Sequence, residues 1–184
     1  MNTAYKWFDA IELPKNKTQL ELYLKHLLAE ELEELTSATN VKDMIDAIGD
    51  IDFVHKGISY IVRDMPKADT TEFIKYNGTY YTATVIIDDF RQHHPVEYEL
   101  LKQAIAYSNF SKFCKTEQEA IESMNAYHLQ GIPISYKLVD DSYVLRVKET
   151  VAIGTKLYPE GKVMKSINFR APNLDRIITM LEAA

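Results

Sequence analysis

Glu30, Glu31 and Glu34 in "AEELEEL", with Asp46 and Asp50 in "DMIDAIGDID", are the residues of this chain whose type and spacing could do chemistry. Leu24, Leu28, Glu31 and Leu35 recur at intervals of four, three and four, so Glu31 falls inside the apolar stripe of a helix. Glu30 and Glu34 sit beside it on adjacent turns, where like charges repel and oppose helix formation. Ala47, Asp50, Val54, Ile58 and Ile61 make a second apolar stripe that is again broken by a carboxylate, with Asp46 one turn before Asp50. Taken alone, "EELEEL" reads as a solvated acidic face. The pair of interrupted stripes, spaced for a helical hairpin, reads differently. An ionised carboxylate placed in a core without a partner costs several kcal/mol, so it must protonate, find a cation or bind a metal. Clustered acids favour the metal. Oxygen ligands without a His or Cys cluster select Mg²⁺, or Mn²⁺ in its place, over Zn²⁺. Mg²⁺ keeps part of its water shell and takes phosphate oxygens, which makes a nucleotide polyphosphate the natural ligand.

The elements that must position these acids are helical. "KTQLELYLKHLLAEELEEL" contains no Gly or Pro and predicts a helix from about Thr18 to Leu35. "TSATN" breaks it, Thr39 or Asn40 can cap the next helix, and that helix runs to about Arg63, where "DMP" stops it at Pro66. Two antiparallel helices joined by a short turn follow. Asn77-Gly78 marks a turn, and 79–91 leans towards helix despite its β-branched residues. A further helix begins near Pro95 and buries Leu100, Leu101, Ala104, Ile105 and Tyr107. The next has Thr116 as cap, Glu119 in the capping-box position and Gly131 as terminator. Beyond Gly131 the period changes to alternation, and "ISYKLVDDSYVLRVK" predicts two short strands around Asp140-Asp141. A turn at Glu160-Gly161 and a short amphipathic helix in "APNLDRIITMLEAA" complete the chain. The fold class is therefore mainly α, a helical bundle with a small C-terminal β-hairpin, in a single domain over 1–184.

With 184 residues, 46% of them hydrophobic and 11% aromatic, the chain can bury one sizeable core. The lone Cys114 has no intrachain partner for a disulfide and reads as a buried thiol. No leader segment opens the sequence and no run approaches the roughly 18 apolar residues of a membrane span, so a soluble, cytoplasmic protein is expected. A formal charge of −6 argues against a nucleic-acid polymer as partner. His26 and His55 can pair with neighbouring acids, His93-His94 reads as a loop end, and no histidine has metal-ligand spacing with another His or Cys. Trp7 and Phe8 read as an N-terminal packing anchor or a dimer contact, with base stacking as the lesser alternative.

The order E-E-x-x-E and then D-x-x-x-D on the next helix resembles the MazG-like all-α nucleoside triphosphate pyrophosphohydrolases, among them phosphoribosyl-ATP pyrophosphohydrolase and dimeric dUTPases. Glu30, Glu31 and Glu34 match the first element, Asp46 and Asp50 the second. "YSNFSKF" is similar to an S-N-x-S-K element of phage and bacterial members, and "EGKVMKSINFRAPNL" to their G-K-V-x-K-x-x-N-Y tail. The resemblance implies an α-helical pyrophosphohydrolase domain, with 66–105 as a variable middle segment and 132–170 as a hairpin and basic tail. It implies hydrolysis of a nucleoside triphosphate, a dNTP by preference, to monophosphate and pyrophosphate, in a homodimer or homotetramer, within the host cytoplasm for a phage-encoded chain. Many relatives carry a ligand Glu where this chain has Ala47, so the resemblance passes that ligand role to Asp46. It makes Glu34 or Glu30 the group that activates water, and Asn109, Lys112, Lys162 and Lys165 the substrate-side residues. Two alternatives stay open: phosphoribosyl-ATP as the substrate, and a module that binds a nucleotide or a host protein without turnover.

Overall fold

The computed structural model describes residues 3–65 and 77–183, with every side chain among them except those of Leu28 and Asn77. Helices α1 (Thr3–Ala10) and α2 (Lys17–His26) lead into a π-helical turn (Leu27–Glu31), α3 (Leu32–Ser37) and the long α4 (Val41–Arg63). Helices α5 (Asn77–His93), α6 (Pro95–Phe110) and α7 (Glu117–His128) follow, then strands β1 (Ile134–Val139), β2 (Ser142–Val147), β3 (Val151–Ile153) and β4 (Lys156–Tyr158), and finally α8 (Asp175–Glu182). The fold is mainly helical with small antiparallel hairpins towards the C-terminus, as the change of period after Gly131 predicts. The backbone groups into two compact units, one of 1–106 with 172–184 and one of 107–171.

In the first unit, α4 is the element the others pack on: it touches α1, α2, the π turn, α3, α5 and α8. Asn40 starts it, its side chain accepting from the Asp43 N–H at 2.9 Å, which satisfies one of the orphan donors of the first turn. Asn16 does the same for α2 through the Gln19 N–H. Ile45, Ile51, Val54, Ile58 and Ile61 of α4 are buried, as are Leu20 and Leu24 of α2 and Leu27 of the π turn, elements that α4 touches. The Phe8 ring, fully buried, lies 5.1 Å from Phe53 and 5.5 Å from Tyr60 between ring centroids, and Trp7 packs edge-on against both Phe8 and Phe53. These rings anchor α1 on α4, and with Trp7 only 5% exposed the base-stacking alternative has no surface to use.

Helix α1 lies where the sequence reading placed only a packing anchor, and three further elements differ from that reading. The helix expected as one regular run from Thr18 to Leu35 is interrupted by the π turn, where the Leu32 N–H bonds to the Leu27 carbonyl five residues back. Asn77 and Gly78 lie in the first turn of α5 instead of in a turn before it, and a helix start tolerates both because its N–H groups lack intrahelical partners anyway. A second hairpin, β3–β4, appears ahead of the turn expected at Glu160-Gly161, where the sequence showed no strands. Pro66, the expected stop of α4, lies outside the described residues, as does 67–76 of the variable middle segment; α4 ends at Arg63.

In the second unit, β1 and β2 pair antiparallel from Ile134–Val147 to Val139–Ser142, and Asp140 makes the tight turn with a φ of +49°. Thr116 caps α7 by accepting from the Glu119 N–H, while the Glu119 carboxylate reaches back to the Lys115 N–H at 2.8 Å. Cys114, Ala120, Ile132, Ile134, Leu145, Val147 and Met164 form one buried cluster, with the Cys114 thiol fully enclosed.

Gly57 shows how close the helices approach: a Cβ there would lie 2.3 Å from Tyr23 Cε1 and 3.2 Å from Phe8 Cζ. Gly57→Ala is expected to destabilise the protein by about 1–3 kcal/mol through overpacking. Gly78→Ala, which meets nothing within 4 Å, is expected to be neutral or to stabilise by up to about 1 kcal/mol. Urea unfolding of the two variants checks both.

Candidate metal centre

The π turn sets the geometry of the acids. At 3.6 residues per turn, residue i+5 points well away from residue i. One turn wound i→i+5 corrects this and lets a side chain at i meet both i+4 and i+5. His26, the last residue of α2, does so: its Nδ1 lies 3.0 Å from Glu30 Oε1 and its Nε2 2.8 Å from Glu31 Oε1. Glu31 is buried at 6% exposure, as its place in the apolar stripe predicts, whereas Glu30 is exposed. Hydrogen bonding to Glu31 raises the His26 pKa; burial opposes this and Glu30 adds to the rise, so the value is pushed up to about 9. The imidazole is a cation at neutral pH. Of the three escapes open to a buried carboxylate, Glu31 has taken the cation, and its burial by itself does not require a metal.

Glu34 and Asp46 are different. Glu34, on α3, is exposed, and Asp46, on α4, is half-buried. Burial raises the Glu34 carboxyl above the ordinary range, and the negative charges of Glu31, Asp46 and Glu30 raise it further. Burial likewise raises Asp46, Glu31 and Asp43 add to the rise, and Lys42 only partly offsets it. Carboxylates from α4 and from the π turn and α3 therefore feel one another across the hairpin. Asp50 lies half-buried one turn further along α4 and has interactions of its own. Ala47 is 2% exposed, so the side chain at that position faces the packed interior, whereas its neighbour Asp46 is the one in electrostatic reach of Glu31 and Glu34. Among the described residues no group of three or more His, Cys, Asp or Glu side chains stands arranged to hold a metal ion. The donor set, oxygen only and mutually repelling at Glu31, Glu34 and Asp46, fits a hard divalent cation in chemistry. His26, bridging Glu30 and Glu31, occupies part of the acceptor capacity such an ion would need.

The remaining candidates lie in the second unit. Asn109 is buried and accepts from Lys112 Nζ at 2.7 Å, so these two are brought together. Lys162 and Lys165 are exposed on irregular backbone, the first 6.0 Å from the Tyr158 ring centroid and the second 4.1 Å from that of Phe169, so the two are held by different rings.

Other polar residues have local partners. His55 bonds Thr84 Oγ1 at 3.0 Å and stacks on Tyr80, and burial lowers its pKa, although the Asp52 charge works the other way. His93 caps back onto the Asp89 carbonyl, and burial raises the pKa of the enclosed Cys114. Asp52, which the sequence did not single out, is 6% exposed and bonded by Lys56 and by Tyr98 Oη. The i,i+4 spacing of Asp52 and Lys56 was the available signal; Tyr98 is distant in sequence and offered none.

Comparison with known proteins returns no matching family model, no similar curated protein and no similar solved structure.

The His26 pKa is raised on folding, so the stability contributed by its clamp is fully present below the ordinary value of 6.5 and is lost as pH climbs through about 9. In chelator, the unfolding free energy of the wild type is expected to fall across that window. His26→Gln should remove this slope and cost on the order of 1 kcal/mol at neutral pH, a figure held down because solvent screens the partly open ring. Urea melts at stepped pH provide the measurement.

Proposed function

We propose that this chain is a nucleoside triphosphate pyrophosphohydrolase dependent on Mg²⁺, with Mn²⁺ able to replace it, that splits a dNTP or NTP into monophosphate and pyrophosphate. The observation that supports this reading is that Glu34 and Asp46, from different helices, share an electrostatic environment with the buried Glu31. Glu30, Glu31, Glu34, Asp46 and Asp50 would hold the ion. When bound, it would supply neutralisation of the triphosphate and stabilisation of the charge that develops on the phosphorus oxygens. The chain's own groups divide the rest. Glu31 is fixed by burial and by His26, which suits a rigid ligand. Glu30 is engaged by the same ring, and Glu34, whose carboxyl is raised above its ordinary range by burial and by the charges of Glu31, Asp46 and Glu30, is the carboxylate we assign to taking a proton from water. Asp46 takes the position that the resemblance gives to Glu at residue 47. Homo-oligomerisation, to a dimer or tetramer, belongs to the same reading. No helix among the described residues is long and apolar enough to cross a membrane, in keeping with a reading that needs none.

The His26 bridge favours a second reading, in which the cluster is already compensated and the unit binds a nucleotide without turnover. One experiment separates the two. Pyrophosphate release is measured over a panel of NTPs, dNTPs and phosphoribosyl-ATP, with Mg²⁺ and with chelator. Turnover of at least one substrate that needs Mg²⁺ is expected, and Glu31→Gln and Asp50→Asn should each lower it by about 10²-fold or more. In parallel, saturating Mg²⁺ should raise the stability of the wild type by about 2–3 kcal/mol at roughly a hundred times its Kd, and raise that of the variants less. A folded wild type with neither turnover nor a metal-dependent shift would leave the second reading.

A further inference from the structure

Within the second unit, a cleft of about 590 Å³ is lined by Tyr107 and Phe110 together with Lys115, Glu119, Asn168 and Arg170. We infer that this cleft is a nucleotide-binding site, with a base lying against the Tyr107 and Phe110 rings, an N–H of its edge on Glu119, and the phosphate on Arg170 and Lys115.

The volume is that of a site for one small molecule, not of a groove that tracks a polymer. The rings are open: Tyr107, expected from the helix stripe to be buried, is 58% exposed, and Phe110 is half-exposed and held edge-on by Phe113 at 5.8 Å. Exposed rings of this kind stack bases without regard to sequence. The cationic wall is held in place by the chain itself. Ser111 Oγ accepts from the Arg170 backbone N–H at 2.9 Å, and the Arg170 guanidinium donates to Tyr107 Oη at 3.2 Å, which sets the cation beside the ring. Glu119 is fixed between the Ser166 hydroxyl and the Lys115 N–H. Burial would raise its pKa, but those two bonds, the Asn168 side chain and the Lys115 charge outweigh it and hold the carboxyl below the ordinary range. A carboxylate offers about four acceptor positions, and these three bonds leave one for a ligand N–H.

The mixture decides the ligand class. Inorganic phosphate would leave the rings and the remaining Glu119 acceptor unused. A neutral nucleoside would leave both cations unused. A nucleotide uses every wall, and the cleft needs no metal and does not depend on the hydrolysis proposed above.

The test is calorimetric titration of the full chain in chelator, which silences Mg²⁺-dependent turnover, with AMP, GMP, ribose 5-phosphate, guanosine and inorganic phosphate. At least one of the two nucleotides should bind about tenfold or more tightly than ribose 5-phosphate and guanosine, and Tyr107→Ala and Arg170→Gln should each weaken it about tenfold. Both side chains are exposed, so unchanged melting temperatures are expected. Should Arg170→Gln unfold, Lys115→Gln, also at an exposed position, takes its place. The inference is overturned if neither nucleotide binds better than ribose 5-phosphate, or if it binds equally well to the folded variants.

Discussion

The first unit depends on one buried charge and the cation that meets it. Glu31 stands at 6% exposure in a helical hairpin whose buried positions are mostly apolar, and its carboxylate would oppose folding if left unpaired. His26 meets it across a π turn, and that turn is what allows a residue five positions away to be reached. Beyond that turn, Glu34 on α3 lies within electrostatic reach of Asp46 on α4. The pairing of His26 with Glu31 and the register of the helix that follows thus meet in a single local irregularity.

Much of this was legible in the residues. The 3.6 period gave α4 almost to the residue, because Asn40 is a strong cap and the stripe from Ile45 to Ile61 has no competing signal. Asp140-Asp141 marked the first hairpin, and Thr116 with Glu119 marked the start of α7, since each is a local hydrogen-bonding device. The burial of Glu31 was legible from its phase in the apolar stripe. The π turn was not: "LLAEE" has the composition of any α-helix, and the extra residue per turn is selected by tertiary packing and by the His26 contacts. Nor was the β3–β4 hairpin, whose strands are only three residues long and leave no alternating pattern to read. Of the acids, Glu31 could be placed by phase alone, whereas Asp46 was put forward by the resemblance, and the partner that compensates Glu31 appeared in the sequence only as one of two histidines near an acid.

The two units divide their chemistry. In the first, negative charge is concentrated and partly neutralised by one imidazolium. The second sets aromatic faces beside cations and a single oriented carboxylate. The first arrangement suits a divalent ion and phosphate oxygens, the second a base carrying one phosphate. Each is built mainly from residues far apart in sequence, Tyr107 with Arg170 and Glu31 with Asp46, which motif spacing reveals only where both partners lie on regular helices.

The central claim is that a divalent ion joins the carboxylates of the hairpin. Anomalous diffraction from a crystal of the chain grown with Mn²⁺ tests it most directly. The expected result is a manganese peak among the oxygens of Glu31, Glu34, Asp46 and Asp50, with His26 displaced from at least one of its two glutamates. A map with no such peak, and with His26 still bridging Glu30 and Glu31, would contradict it.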